Sequence, residues 1–64
     1  MDLQQVKRNL NKMVVYKDIK GVYKLTACII RKNKENEFYY QVELADTKNG
    51  NSLVYAKLTD ITGG

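Results

Sequence analysis

VYKLTACIIRK (Val22–Lys32) and FYYQVELAD (Phe38–Asp46), joined by the polar stretch NKENE (Asn33–Glu37), decide the fold class. Both segments are rich in β-branched and aromatic residues and alternate in polarity, the signature of half-buried strands. A short polar linker between two such runs makes them an antiparallel hairpin. Strict alternation places Tyr23, Leu25, Ala27 and Ile29 on one side of the first segment, and Lys24, Thr26, Cys28 and Ile30 on the other. In the second segment Phe38, Tyr40, Val42 and Leu44 face inward, with Tyr39, Gln41 and Glu43 outward.

Working outward, Lys48-Asn49-Gly50-Asn51 carries an Asn-Gly pair, a strong hairpin signal, so Ser52–Lys57 is the next strand. There Val54, Ala56 and Leu58 oppose Leu53, Tyr55 and Lys57. LTDI (Leu58–Ile61) reads as either one helical turn or a last short strand. Upstream, Met13–Lys17 is a short opening strand, and Asp18–Gly21 is a turn with Gly21 available for positive φ. Residues 2–12 read as a helix. Leu3, Val6, Leu10 and Met13 form one apolar stripe, Asp2 suits the N-cap, and Lys12 suits the C-terminal end of the dipole. A helix this short must dock on something to persist. The expected organisation is one domain: helix 2–12, antiparallel β structure 13–61 and a flexible tail 62–64. The fold class is mainly β. It is either a small barrel or a strongly bent meander of four to five strands with an N-terminal α-helix.

Composition narrows the chemistry. The chain has 64 residues, one cysteine and no histidine. One cysteine forms no internal disulfide, and the commonest zinc ligand and neutral-pH proton carrier is missing. No phosphate-binding glycine motif is present. The expectation is a non-enzyme with no cofactor and no metal. No apolar run approaches the roughly 20 residues of a membrane span, so the expected location is cytoplasmic and reducing, without membrane contact. Cys28 reads as a small buried hydrophobe.

Charge is divided along the chain. Residues 1–34 carry nine Lys/Arg and two acids, and residues 35–64 carry two Lys and five acids, giving the overall +4. If the turns lie near the helix, Arg8, Lys12, Lys17, Lys20, Lys24, Arg31, Lys32 and Lys34 form one basic face for nucleic-acid phosphates. The alternative is a protein-interaction or self-association surface on a mixed face holding Ile30, Tyr39, Leu53 and Tyr55. The expected partner is therefore nucleic acid or another protein, and the expected state is a monomer or weak homodimer.

The order VVYK, YKLTACIIRK, FYYQVEL, glycine hairpin, SLVYAKLTDI resembles small SH3-like barrels of the Tudor or KOW type across Met13–Ile61. The whole chain also resembles short uncharacterised proteins carried by mobile elements of low-GC Gram-positive bacteria, a group that implies no activity. The ending Thr62-Gly63-Gly64 resembles the tail of ubiquitin-like carrier proteins, a remote alternative. Those proteins place a hairpin before the helix, whereas here the helix leads.

Overall fold

The computed structural model describes residues 1–63. Five antiparallel strands form one sheet: β1 (Met13–Tyr16), β2 (Gly21–Lys32), β3 (Phe38–Asp46), β4 (Ser52–Lys57) and β5 (Ile61–Gly63), in the order β4-β3-β2-β1-β5. A 3-10 turn, Leu58–Asp60, separates β4 from β5, so LTDI supplies both the helical turn and the start of a strand. The single helix, α1 (Leu3–Asn9), precedes the sheet.

α1 is shorter than its apolar stripe. It starts at Asp2, whose carboxylate accepts from the Gln5 backbone N–H at 2.8 Å while the Gln5 side chain accepts from the Asp2 N–H at 2.9 Å. This reciprocal cap satisfies two otherwise orphaned donors. The helix stops because Asn11 takes φ 66° and its N–H donates to the Leu25 carbonyl, while Leu25 N–H donates to the Lys12 carbonyl. Residues 11–12 thus extend the sheet rather than the helix. Of the stripe only Val6 is fully buried; Leu10 and Met13 stay exposed.

Val6 joins Val14, Tyr23, Leu25, Val42, Leu44, Ala56 and Ile61 in the core. The Met1 ammonium donates to the carbonyls of Leu58 and Ile61 at 2.6 and 3.0 Å, fastening the front of α1 to the β4–β5 corner. At the other side of the core the Tyr16 and Tyr23 rings meet edge to face, 6.3 Å apart.

Three sequence expectations are corrected. The left-handed residue of the first turn is Lys20 (φ 50°), not Gly21. Gly21 is needed for a different reason: a Cβ there would sit 2.7 Å from Cε2 of Tyr23, whose ring lies over it. Thr62 and Gly63 are not tail, because they pair with Val15 and Val14. Gly64 lies outside the described residues. Most consequential is a bulge in β2. Leu25 pairs with Leu44 and Ala27 with Glu43, leaving Thr26 as an extra residue. One extra residue inverts every side chain beyond it. Cys28 and Ile30 therefore share the inner face with Val42 and Tyr40, while Ala27 and Ile29 turn outward beside Glu43 and Gln41. The Thr26 hydroxyl lies 2.8 Å from the Glu43 carboxylate and 3.1 Å from its carbonyl, which anchors the irregularity.

Candidate functional site

Strand lengths decide what is exposed. β1 pairs with β2 only from Gly21 to Lys24, and β4 pairs with β3 only from Gln41 to Asp46. The far ends of β2 and β3 outrun their neighbours and continue as a two-stranded blade. All eleven residues from Ile30 to Tyr40 are exposed. The blade is closed by Asn33, whose side-chain oxygen accepts from the N–H groups of Glu35 and Glu37, with Asn36 left-handed at φ 63°. That side chain mimics a backbone turn and fixes the tip.

The register distributes the blade's side chains over two faces. Ile30, Lys32, Phe38 and Tyr40 continue the inner face; Arg31 and Tyr39 lie on the outer one. The Lys32 ammonium stands 5.5 Å from the centre of the Phe38 ring, within cation–π range. Arg31 donates from Nε to the Gln41 side chain. Phe38 and Ile30 are 67% and 64% exposed, an unusual state for large apolar groups and the reason to look for a partner here.

The single basic face is not assembled. Lys17 and Lys20 stand at the Gly21 end of β2, whereas Arg31, Lys32 and Lys34 stand at its opposite end. Lys17 Nζ donates to the Thr59 carbonyl at 3.2 Å. Lys24 sits between Met13 and Ala45 on the outer face. Arg8 belongs to α1 and Lys12 to the segment that meets Leu25. The cluster that survives is Arg31, Lys32 and Lys34, tempered by Glu35 and Glu37 in the same turn.

The mixed face is also divided. The bulge moves Ile30 to the side opposite Tyr39, Leu53 and Tyr55. On the outer face the rows Gln41–Lys57 and Glu43–Tyr55 place polar groups between Tyr39 and Leu53. The Tyr55 hydroxyl donates to the Glu43 carboxylate at 3.3 Å. What sequence reasoning missed is the exposure of Phe38 and Tyr40, both expected inside. The missed signal was length: strands of eleven and nine residues cannot be covered along their whole length by neighbours of five and six.

Beside the blade, α1 and β2 bound a groove of about 410 Å³ lined by Leu3, Val6, Lys7, Leu10, Cys28 and Ile30, among others. Among the described residues no group of three His, Cys, Asp or Glu side chains could hold a metal ion, and no helix is long and apolar enough to cross a membrane. The molecule is thus a mainly β antiparallel sheet with one helix over its inner face and one projecting hairpin. Comparisons with protein-family models, curated proteins and solved structures find no match for the chain.

Proposed function

We propose that this chain is a small non-catalytic binding module on an SH3-like barrel, and that its blade contacts single-stranded nucleic acid. The barrel reading is supported by the strand order β4-β3-β2-β1-β5, by a 3-10 turn between the last two strands, and by a long β2 that serves both halves of the sheet and bends at a bulge. A cytoplasmic location fits the single free thiol at Cys28.

One observation carries the binding reading: a fully exposed run, Ile30–Tyr40, interleaves Arg31, Lys32 and Lys34 with Phe38, Tyr39 and Tyr40. Cations attract the phosphates, and rings offer platforms on which any base stacks. Duplex recognition has less support, because the remaining cations stand elsewhere on the surface. Fluorescence anisotropy with labelled single-stranded DNA and RNA at low salt is the test. Replacing Arg31, Lys32 and Lys34 together by Gln should lower the slope of log affinity against log salt by about 2, at roughly 0.7 per single-strand contact. An unchanged slope, or no binding by the unmodified protein, removes the reading.

Self-association is the second reading. Its support is β4, which lies at the sheet edge with Leu53 and Tyr55 exposed. Light scattering across a concentration series decides it: a constant monomer mass rules it out.

A further inference from the structure

The groove beside α1 has a property that its apolar lining alone does not reveal. Its sheet side is formed by Thr26, Ala27, Cys28 and Ile30 of β2, a strand with one open edge here, and by Tyr40 of β3. On the side away from β3, β2 is paired with β1 up to Lys24 and meets residues 11–12 at Leu25. From Ala27 to Lys32 the strand has a partner in β3 only. Across the groove stands α1, contributing Leu3, Val6 and Leu10. The bulge at Thr26 turns Cys28 and Ile30 onto the inner face, so these two residues, in place of Ala27 and Ile29, supply the apolar floor of the groove.

A helix lying beside an unpaired strand edge is the arrangement that accepts a peptide by strand addition. Backbone hydrogen bonds hold the guest, and alternate side chains drop into the groove. The charge pattern selects the kind of guest. Among the described residues the one charged residue lining the groove is Lys7, and no side-chain carboxylate lines it; Lys32 lies two residues beyond Ile30 on the same face. We infer that this groove binds an extended peptide segment of another protein whose groove-facing residues, every second one along the strand, are apolar in the middle and acidic at both ends. The apolar side chains pack on Leu10, Cys28 and Ile30, and the acidic ones meet Lys7 and Lys32. This groove shares Ile30 and Lys32 with the blade, and it stands whether or not the blade binds nucleic acid.

Cys28, the chain's one cysteine, lines the groove and reports its occupancy. The experiment uses the full chain and a panel of capped peptides of about eight residues, long enough to run past the open edge at roughly 3.3 Å per residue. In one set the groove-facing positions carry Glu at both ends and Val, Leu or Phe between, with Thr at the alternate positions; in the other set Lys replaces Glu. The readouts are the alkylation rate of Cys28 by N-ethylmaleimide and backbone amide shifts by NMR. Members of the acidic set should slow alkylation and shift amides between Ala27 and Ile30 and along α1; the Lys set should do neither. Ile30→Glu, at an exposed position that should leave folding intact, should weaken acidic-peptide binding about tenfold or more. Lys7→Glu should transfer the preference to the Lys set. The inference fails if no acidic peptide changes either readout at concentrations up to about 1 mM. It also fails if both sets act equally, or if a thymidine oligonucleotide protects Cys28 and the acidic peptides do not.

Discussion

The two ends of the β2–β3 hairpin are built from the same residue classes and meet opposite fates. At the near end Tyr23, Leu25, Val42 and Leu44 are buried beneath α1 and between β1 and β4. At the far end Ile30, Phe38 and Tyr40, equally apolar and on the same face, stand in solvent. Side-chain character does not separate them; the reach of neighbouring strands does. A strand residue is core only where something covers its face, and here cover ends after Leu25 on β2 and before Gln41 on β3. The near end holds the molecule together, and the far end stands exposed.

That division is most sharply tested by removing equal bulk from each end. Leu44→Ala at the fully buried near end should cost about 2–5 kcal/mol, enough to unfold much of a domain this small. Ile30→Ala at the far end should stay within about 0.5 kcal/mol. Urea titration of both variants gives the comparison, and similar losses at the two positions would break it. Next in size, Phe38→Ala should leave the urea midpoint in place while weakening single-strand binding by about 1–3 kcal/mol, measured by anisotropy. If stability falls and binding does not, the ring belongs to the structure and not to the site.

The helix adds a smaller test. Asp2→Ala removes the cap that starts α1 and should cost about 1 kcal/mol. Hydrogen exchange should then quicken at near-end amides such as Val42 and Leu44, which lie beneath the helix-covered core, and leave Phe38–Tyr40 as fast as before. The smallest effect is expected at Lys20→Gly. Relief of a left-handed lysine, worth about 1–2 kcal/mol, is largely offset by the entropy of a new glycine, about 0.5–1 kcal/mol. A rise in thermal midpoint of a few degrees would register the difference.

Much of the fold was legible because local rules and packing agree. Polar runs and the Asn-Gly pair mark the hairpins, and the bounds of Phe38–Asp46 and Ser52–Lys57 match the strands observed. The helix was overextended because its stripe continues through Leu10 and Met13, whereas a left-handed Asn11 that bonds to Leu25 ends it. That bond joins distant segments, so no local pattern announces it. The candidate site was harder to read. Alternation counts residues from one end of a strand and carries no warning of a bulge, so Thr26 put Cys28 and Ile30 on the wrong side. The basic residues were gathered on paper by their closeness in sequence, while a twelve-residue strand separates the two turns that hold most of them.

The unpaired Thr26 is also a residue that the strand can lose without changing what either face shows. Excising that one codon would leave Leu25 opposite Leu44 and bring Ala27 directly after it opposite Glu43, so regular pairing returns while Cys28 and Ile30 keep the inner face and Ala27 and Ile29 the outer. Cross-strand NOEs in the deletion variant should show the Cys28–Val42 and Ile30–Tyr40 pairs unchanged. A lineage bearing this domain could thus lose the three nucleotides of that codon and straighten the strand without exchanging the residues that either face presents.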